Sequence, residues 1–315
     1  MISMEKRNSR DEFVLIIMAT YNGEEFLPLQ LASLEAQTHL HWRLYASDDG
    51  STDNTVDILN RFAERIGIDR VTVVAGPRKG FAKNFLAALE SAPPSAFYAF
   101  SDQDDIWLPE KLASALAFLN EVSPGKPALY CGRTILADEA ANMIGKSPLF
   151  RREASFANAL VQSIGGGNTM VINAAARHAI VSCSEGVDVI SHDWWAYQVV
   201  TGVGGVVYYD RNPQIYYRQH SSNLMGNNRA WRERIKRGIT LLSGGFREWT
   251  QRNIDHLSRS EGFLTQENRN KLRKFRDGRD GSFFQRLILI RETGVYRQTL
   301  WGQAALFFAI ILRKI

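Results

Sequence analysis

Residues 13–22 read Phe-Val-Leu-Ile-Ile-Met-Ala-Thr-Tyr-Asn, an apolar run that ends in polar side chains. A short, continuous apolar run is typical of a strand that is buried on both faces of a sheet. Residues 24–37 follow with apolar side chains at helical spacing, and strand and helix patterns then alternate through residue 107. Alternating strands and helices with short connections predict an α/β fold, in which a mostly parallel sheet carries helices on both faces.

Three polar clusters follow predicted strands at their carboxyl ends: Ala19-Thr-Tyr-Asn22, Asp48-Asp49 and Asp102-Gln-Asp104-Asp105. Ligands of parallel sheets bind at the carboxyl ends of the strands, so we expect these clusters to meet in one site. Neighbouring aspartates repel each other unless a divalent cation is bound, and Mg²⁺ or Mn²⁺ takes oxygen ligands that it often shares with phosphates. The alternative is a solvated acidic loop that precedes a helix beginning at Pro109.

Several classes of protein and of site are excluded by the sequence. Gly-x-Gly-x-x-Gly is absent after the first strand, and no Gly-x-x-x-x-Gly-Lys-Ser/Thr loop is present, so a bound nucleotide would be held by side chains and a metal. Cys131 and Cys183 form neither a disulfide framework nor a zinc spacing. No apolar run approaches the roughly 18 residues of a membrane span, and residues 1–12 are polar rather than a signal peptide. We therefore expect a cytoplasmic protein.

The charge of the chain is distributed unevenly. The formal net charge is +5, yet residues 229–315 carry nineteen Lys and Arg against eight Asp and Glu, a net of +11. Within this basic part, residues 298–312 are uncharged, and as a helix they would be about 22 Å long, too short for a hydrocarbon core of about 30 Å. The basic helical region 227–315 therefore predicts peripheral binding to the inner face of the cell membrane. Packing on the enzyme or in a homodimer is the alternative.

As a set, five motifs resemble glycosyltransferase family 2. The motifs are Thr20-Tyr-Asn22, Asp48-Asp-Gly-Ser-Thr-Asp53, Ser101-Asp-Gln-Asp-Asp-Ile-Trp-Leu-Pro109, His192-Asp-Trp-Trp195 and Tyr217-Arg-Gln-His220. The last three of these motifs together resemble the bacterial rhamnosyltransferase-like branch, which builds surface polysaccharides. The resemblance covers about residues 12–225. It implies a GT-A fold with a Rossmann-like sheet for residues 1–226, extended by the helical region 227–315.

The resemblance also implies a nucleotide-sugar site with a metal. In it, Ala19 and Tyr21 line the nucleobase, Asp49 accepts a base N–H, Asp102 faces the ribose and Asp104 ligates the Mg²⁺ or Mn²⁺ that bridges the diphosphate. His220 is a second candidate for the metal or the phosphates, and a structural histidine is the alternative. A basic side chain, Lys83 or Arg78, is expected at the diphosphate, but no tight motif distinguishes the two.

Asp193 takes the place of the catalytic base, although the family often has Glu-Asp where this chain has His192-Asp193. An inverting transfer needs one carboxylate to deprotonate the acceptor hydroxyl. An aspartate near a helix start is otherwise an ordinary partner of the helix dipole. The adjacent Trp194 and Trp195 favour acceptor binding, because aromatic rings cover the apolar faces of sugars, with core packing as the alternative.

The sequence thus predicts a metal-dependent inverting glycosyltransferase that moves rhamnose from dTDP-rhamnose to a saccharide or lipid-linked saccharide acceptor. A UDP-hexose donor and a catalytically silent scaffold that binds nucleotide sugars are the alternatives. A nucleic-acid partner is disfavoured, because the predicted edge of the sheet is acidic and the basic tail ends in an apolar segment.

Overall fold

The structure is a computed structural model that describes residues 13–123, 125–220 and 245–315. Its strands are β1 (Val14–Thr20), β2 (Trp42–Asp48), β3 (Val71–Ala75), β4 (Phe97–Asp102), β5 (Ile106–Trp107), β6 (Ala128–Gly132), β7 (Ile135–Ala137), β8 (Met143–Lys146), β9 (Val171–Asn173), β10 (Val206–Asp210) and β11 (Ile215–Arg218). Its helices are α1 (Leu27–Glu35), α2 (Thr55–Ile66), α3 (Phe81–Ser91), α4 (Lys111–Leu119), α5 (Phe156–Ala159), α6 (Ala174–Cys183), α7 (His192–Gly202), α8 (Gly245–Arg259), α9 (Gln266–Arg279), α10 (Phe283–Thr293) and α11 (Leu300–Ile311).

The predicted mostly parallel sheet is confirmed. Seven strands pair in the order β10-β6-β9-β4-β1-β2-β3, and β9 alone of these runs antiparallel to its neighbours. A second sheet pairs β5, β11, β7 and β8. Because β1 lies between β4 and β2 in parallel register, the ends of these three strands come together at one edge of the sheet. This topology brings the three polar clusters of the sequence together.

The sheet is covered on both faces, as the apolar run of β1 predicts. Side chains alternate along a strand, so Leu15 and Ile17 enter one core while Val14, Ile16 and Met18 enter the other. The first core contains residues of α3, α6 and α7, and the second contains residues of α1, α2 and α4. This is the arrangement expected of a doubly covered α/β sheet.

The C-terminal region is helical, as predicted, and packs on the sheet. Apolar side chains of α8 to α11 share the first core with β1 and α7; they are Phe246, Ile254, Leu257, Leu272, Phe275, Leu289, Leu306 and Ile310. The carbonyl oxygen of Ile315 accepts hydrogen bonds from Nε and Nη2 of the buried Arg279 at 3.0 and 2.7 Å. The predicted boundary between residues 226 and 227 lies outside the described residues. Within them, no helix combines the length and apolar character that crossing a membrane requires.

Candidate active site

A pocket of about 1490 Å³ opens at the carboxyl ends of β1, β2 and β4. Its lining includes side chains from all three polar clusters, the start of α7, the end of the second sheet and one helix of the C-terminal region. The lining residues that form the candidate site are Ala19, Tyr21, Asp49, Arg78, Asp102, Gln103, Asp104, Gly167, His192, Asp193, His220 and Trp249. The strand-end clusters therefore meet, as the sheet topology predicts.

The two adjacent aspartates after β2 have different environments. Asp48 turns inward and accepts hydrogen bonds from the hydroxyls of Thr20 and Ser51. Asp49 lines the pocket, and its two carboxylate oxygens accept the backbone N–H groups of Arg78 at 2.6 Å and Gly80 at 2.8 Å. Each of these oxygens has a second lone pair, so the carboxylate can still accept a ligand N–H. Asp48 shapes the turn, and Asp49 faces the ligand space.

Tyr21 lies at the mouth of the pocket with 58% of its surface exposed. Its backbone is held by a side chain of the acidic loop, because Tyr21 N donates to Oε1 of Gln103 and Nε2 of Gln103 donates to the Tyr21 carbonyl, both at 2.9 Å. Gly23 leaves the space for this amide, since a methyl group on it would meet Gln103 Oε1 at 2.3 Å. An exposed ring on a fixed backbone suits stacking against a planar base. Gln103 is a site residue that the motif alone did not assign.

The three aspartates after β4 form one acidic cluster with two orientations. Ligand oxygens of Asp102, Asp104 and Asp105 lie within 4.8 Å of one another. Asp102 and Asp104 line the pocket, whereas Asp105 is fully buried and accepts a 2.5 Å hydrogen bond from Nδ2 of Asn168. Nζ of the buried Lys111 has no hydrogen-bond partner among the described residues. Burial lowers the pKa of Lys111 to about 7, although the charge of Asp105 partly offsets that fall. A fully solvated loop, the alternative weighed from sequence, is excluded by the burial of Asp105.

His220 lies beside the acidic cluster and contacts Asp104. Its Nε2 lies 2.8 Å from Oδ2 of Asp104, and its ring stacks on Phe26 with 4.2 Å between ring centroids. The neighbouring Arg218 fixes the loop, because Nε donates to the Asp104 carbonyl at 2.5 Å and Nη2 donates to the Phe26 carbonyl at 2.7 Å. Sequence reasoning singled out His220 and left Arg218 unassigned. Together they hold Asp104 at the pocket wall.

The acidic cluster fits a divalent cation. Burial, and then the charges of Asp104 and Asp193, raise the pKa of Asp102 to about 8. Burial, and then the charges of Asp104 and Asp102, raise the pKa of Asp105 well above its usual range as well. Such shifts mean that the negative charges are poorly compensated by the chain itself. Carboxylate oxygens, which all three aspartates of the cluster offer, are the ligands that Mg²⁺ or Mn²⁺ prefers. The residues present therefore suit the predicted cation.

Asp193 lies at the N-terminal end of α7, facing the pocket. Its Oδ1 accepts the backbone N–H of Trp194 at 2.7 Å. Burial raises the pKa of the Asp193 carboxyl, while hydrogen bonds from Ser191 and from the N–H groups of Trp194 and Gly167 partly offset that rise. A raised pKa makes a carboxylate a stronger base, and the fixed N–H donors hold it in one orientation. The geometry is therefore suited to taking a proton.

His192 forms the floor beside Asp193. Its ring stacks on Phe85 with centroids 3.9 Å apart, and neither ring nitrogen has a hydrogen-bond partner among the described residues. Burial lowers the pKa of His192 to about 3, so the ring is neutral at ordinary pH. A methyl group on Gly167 would lie 2.1 Å from Nε2 of His192, which explains a glycine at this position. The triple-glycine stretch 165–167 thus allows close approach of the backbone.

Three predicted contacts are wrong in this structure. Trp194 and Trp195 are 6% and 0% exposed, and their indole N–H groups donate to the Ala159 carbonyl and to the Ser184 hydroxyl. They pack the core because helix α7 is buried all round, and they do not line the pocket. Lys83 points away from the pocket and pairs with Asp188 at 2.8 Å.

Two other side chains line the pocket where these residues do not. Arg78 lines the pocket in place of Lys83, and its backbone has a φ of +58°, fixed by the hydrogen bond of its N–H to Asp49. Trp249 of α8, which the sequence places in the basic tail, also lines the pocket. In the sequence, only the spacing of three residues between Phe246 and Trp249 indicated that the two side chains share one face of a helix.

The chain is similar to known proteins in sequence and in fold. The profile of glycosyl transferase family 2 matches residues 15–154. RfbG of Shigella flexneri, a dTDP-rhamnosyl transferase, is 30% identical over 234 residues, which are 70% of this chain and 77% of that protein. WfgD of Escherichia coli, a UDP-Glc:α-D-GlcNAc-diphosphoundecaprenol β-1,3-glucosyltransferase, is 34% identical over 110 residues, which are 35% of this chain and 42% of that protein.

A solved structure extends the likeness over most of the chain. Residues 1–349 of TarS from S. aureus in complex with UDP-GlcNAc superpose with a TM-score of 0.52 and 16% identity. The match covers 90% of this chain and 93% of that one. At this identity the likeness concerns the fold alone, and it agrees with the predicted GT-A type of sheet.

Proposed function

The chain belongs to glycosyltransferase family 2, and from that premise we propose that it transfers rhamnose from dTDP-rhamnose to a saccharide or lipid-linked saccharide acceptor with inversion. The observation that carries the proposal is the pocket in which an acidic cluster that could hold a metal ion lies beside the partly buried carboxylate of Asp193, whose pKa is raised. A catalytically silent scaffold would have no need of this pair. The acceptor is a component of a surface polysaccharide.

In the proposed complex, the nucleoside lies over the ends of β1 and β2. Tyr21 stacks on the base beside Ala19, and Asp49 accepts a base N–H through the lone pairs that its two backbone bonds leave open. Asp102 binds the ribose. The guanidinium of Arg78, which lies over Gly50 at the pocket wall, contacts the diphosphate.

The divalent cation would be held by Asp104, with His220 as its neighbour, and would neutralise charge on the diphosphate as the glycosidic bond breaks. Arg218 keeps the Asp104 main chain in place for this role. Asp105 contributes from inside the loop, where the hydrogen bond from Asn168 and the charge of Arg218 stabilise it.

The transfer step uses Asp193 as the general base. Its carboxylate takes the proton of the acceptor hydroxyl as that oxygen attacks the anomeric carbon. The bond from the anomeric carbon to the diphosphate oxygen breaks on the opposite face, and the nucleoside diphosphate leaves with that electron pair. The neutral His192 stacked on Phe85 supports the floor next to the base without adding a competing positive charge.

The donor assignment rests on the name of the relative RfbG, a dTDP-rhamnosyl transferase. The match to this chain spans 77% of the length of that protein. UDP-hexose is the competing donor, favoured by the match to WfgD, whose name specifies UDP-Glc. Transfer of radiolabelled sugar from dTDP-rhamnose and UDP-glucose, each with and without Mn²⁺, decides between them. Turnover of dTDP-rhamnose that EDTA abolishes is the expected result. Turnover of UDP-glucose alone would refute the donor, and no turnover of either would refute the function.

We also propose that the enzyme works at the cytoplasmic face of the membrane. Helix α11 packs one face on the protein and exposes the other, on which Leu300 is 91% and Trp301 89% exposed. The adjacent α10 exposes Phe284, and the two helices are joined where Nη2 of Arg286 donates to the Ile311 carbonyl at 3.1 Å.

Exposed apolar side chains next to basic ones suit an anionic lipid surface, where each basic residue contributes about 1 kcal/mol. We define the lipid-facing surface by eight exposed apolar side chains: Phe283, Phe284, Ile288, Leu300, Trp301, Phe307, Phe308 and Leu312. Arg291 lies exposed on α10, and Arg313 lies exposed just after the end of α11. A homodimer formed through this surface is the competing arrangement, and vesicle binding distinguishes the two.

A further inference from the structure

Trp249 is the aromatic side chain of the C-terminal region that reaches the pocket. It lies on α8, is partly buried against the first core and lines the same pocket as Asp193. Its indole is therefore fixed on one side and open to the ligand space on the other. Fixed aromatic rings of this kind bind apolar surfaces at a low cost in conformational entropy.

The contacts of α8 bring Trp249 to the side of the base. Phe246 precedes Trp249 by one helical turn, and its ring stacks on Trp194 with centroids 6.3 Å apart and an interplanar angle of 15°. Trp194 directly follows Asp193 and donates its backbone N–H to that carboxylate. The helix that carries Trp249 therefore packs, through Phe246, on the residue that directly follows the base.

The following turns of α8 are also tied to the segment that precedes α7. The backbone N–H of Asp188 donates to Nε2 of His256 at 3.0 Å, and the Asp188 carboxylate pairs with Lys83 at 2.8 Å and with Arg252 at 3.8 Å. Residues 246, 249, 253 and 256 share one face of the helix by their spacing. This face is held against α7, so the position of Trp249 relative to Asp193 is set by the fold.

We propose that Trp249 is the binding platform for the acceptor sugar, an inference that rests on the proposed glycosyl transfer. The acceptor pyranose lays its apolar C–H face on the indole and presents one hydroxyl to Asp193. The structure assigns to Trp249 the role that the sequence had suggested for Trp194 and Trp195, which are buried. The substrate class is a pyranoside, because the array of C–H groups on one face of a pyranose matches the flat apolar face of an indole.

The test compares Trp249→Ala and Trp249→Phe with the wild type, using methyl glycosides of rhamnose, glucose and N-acetylglucosamine as acceptors. We expect Trp249→Ala to raise the acceptor KM about tenfold, with a smaller rise for Trp249→Phe, which retains an aromatic ring. The donor KM should be unchanged. Phe263→Ala is the control, because Phe263 is 54% exposed in the C-terminal region and lies outside both the pocket lining and the lipid-facing surface.

A second measurement separates this inference from the proposed function. Calorimetric titration of the same glycosides into enzyme saturated with dTDP measures acceptor binding without turnover. Binding by the wild type that weakens in Trp249→Ala supports the platform, even if no transfer is detected. An unchanged acceptor KM, an equal rise in the donor KM, or no glycoside binding by the wild type would overturn it. Thermal unfolding of Trp249→Phe near the wild-type temperature confirms that the loss is local.

Discussion

Replacing Gly167 by Ala tests how the floor of the pocket positions the base. The added methyl group would lie 2.1 Å from Nε2, 2.7 Å from Cε1 and 3.2 Å from Cδ2 of His192. Ordinary contact begins near 3.4 Å, so the backbone or the ring must shift by about 1.3 Å. The ring cannot withdraw, because it is stacked on Phe85 at 3.9 Å and meets Phe100 edge-on. The shift therefore falls on the Gly167 backbone.

Two quantities should change together in Gly167→Ala. Overpacking of this kind costs about 1–3 kcal/mol of stability. The Gly167 N–H also moves away from the Asp193 carboxylate that it supports, and a displacement of about 1 Å at a reacting group costs roughly 100-fold in kcat. Urea unfolding and steady-state transfer measure the two effects. Gly262→Ala is the control, because a methyl group there meets nothing within 4 Å.

A double-variant cycle provides the refutation. In a His192→Ala background the obstacle is gone, so adding Gly167→Ala should cost little further stability. If Gly167→Ala destabilises that background as much as the wild type, the contact with His192 is not the cause. If it leaves kcat unchanged in the wild-type background, the support of Asp193 by Gly167 is not needed for transfer.

Three further predictions concern the base, the cation and the lipid-facing surface. Asp193→Asn should lower transfer by roughly 10²–10⁴-fold while dTDP binding persists, and near-wild-type transfer in this variant would refute the role of the base. In the wild type, kcat/KM should fall on the acid side at a pH above the usual carboxyl range, because the raised pKa of Asp193 leaves less of the basic form as the pH falls. Asp104→Asn should abolish the Mn²⁺-dependent part of dTDP binding in calorimetry, and unchanged metal-dependent affinity would contradict the ligand assignment. Trp301→Ser combined with Phe308→Ser should release the protein from phosphatidylglycerol vesicles and spare transfer to methyl glycosides, whereas unchanged sedimentation would exclude this surface.

The sheet and its ligand edge could be predicted because they depend on local signals. The apolar run of β1 and the polar residues directly after it give both the strand and the position of its carboxyl end. The same reasoning brought Asp49 and Asp104 to one pocket, where they lie. Sequence spacing did not distinguish the aspartate that faces a ligand from its neighbour that stabilises the turn, since Asp48 and Asp49 differ only in the direction of their side chains.

The aromatic residues show why the rest of the site could not be predicted. Trp194 and Trp195 adjoin the base in sequence, but a helix that is apolar on every side is buried, and α7 follows that rule. Trp249 is 56 residues from Asp193 in a basic segment, and only tertiary packing brings it to the pocket. Charge alone could not distinguish Lys83 from Arg78, because Asp188, the partner of Lys83, comes from a loop with no regular pattern.

The stacking of Phe246 on Trp194 limits how such enzymes can be recombined. A chimaera that keeps β1 to β4 from this chain and takes the remainder from a relative would exchange α7 and α8 together, so their shared interface would be inherited intact. A graft of α8 to α11 alone would bring a foreign side chain against Trp194 and disturb the carboxylate before it. Acceptor preference should therefore be transferable between relatives only as a block that begins ahead of α7, and the C-terminal helices cannot be treated as an interchangeable tag.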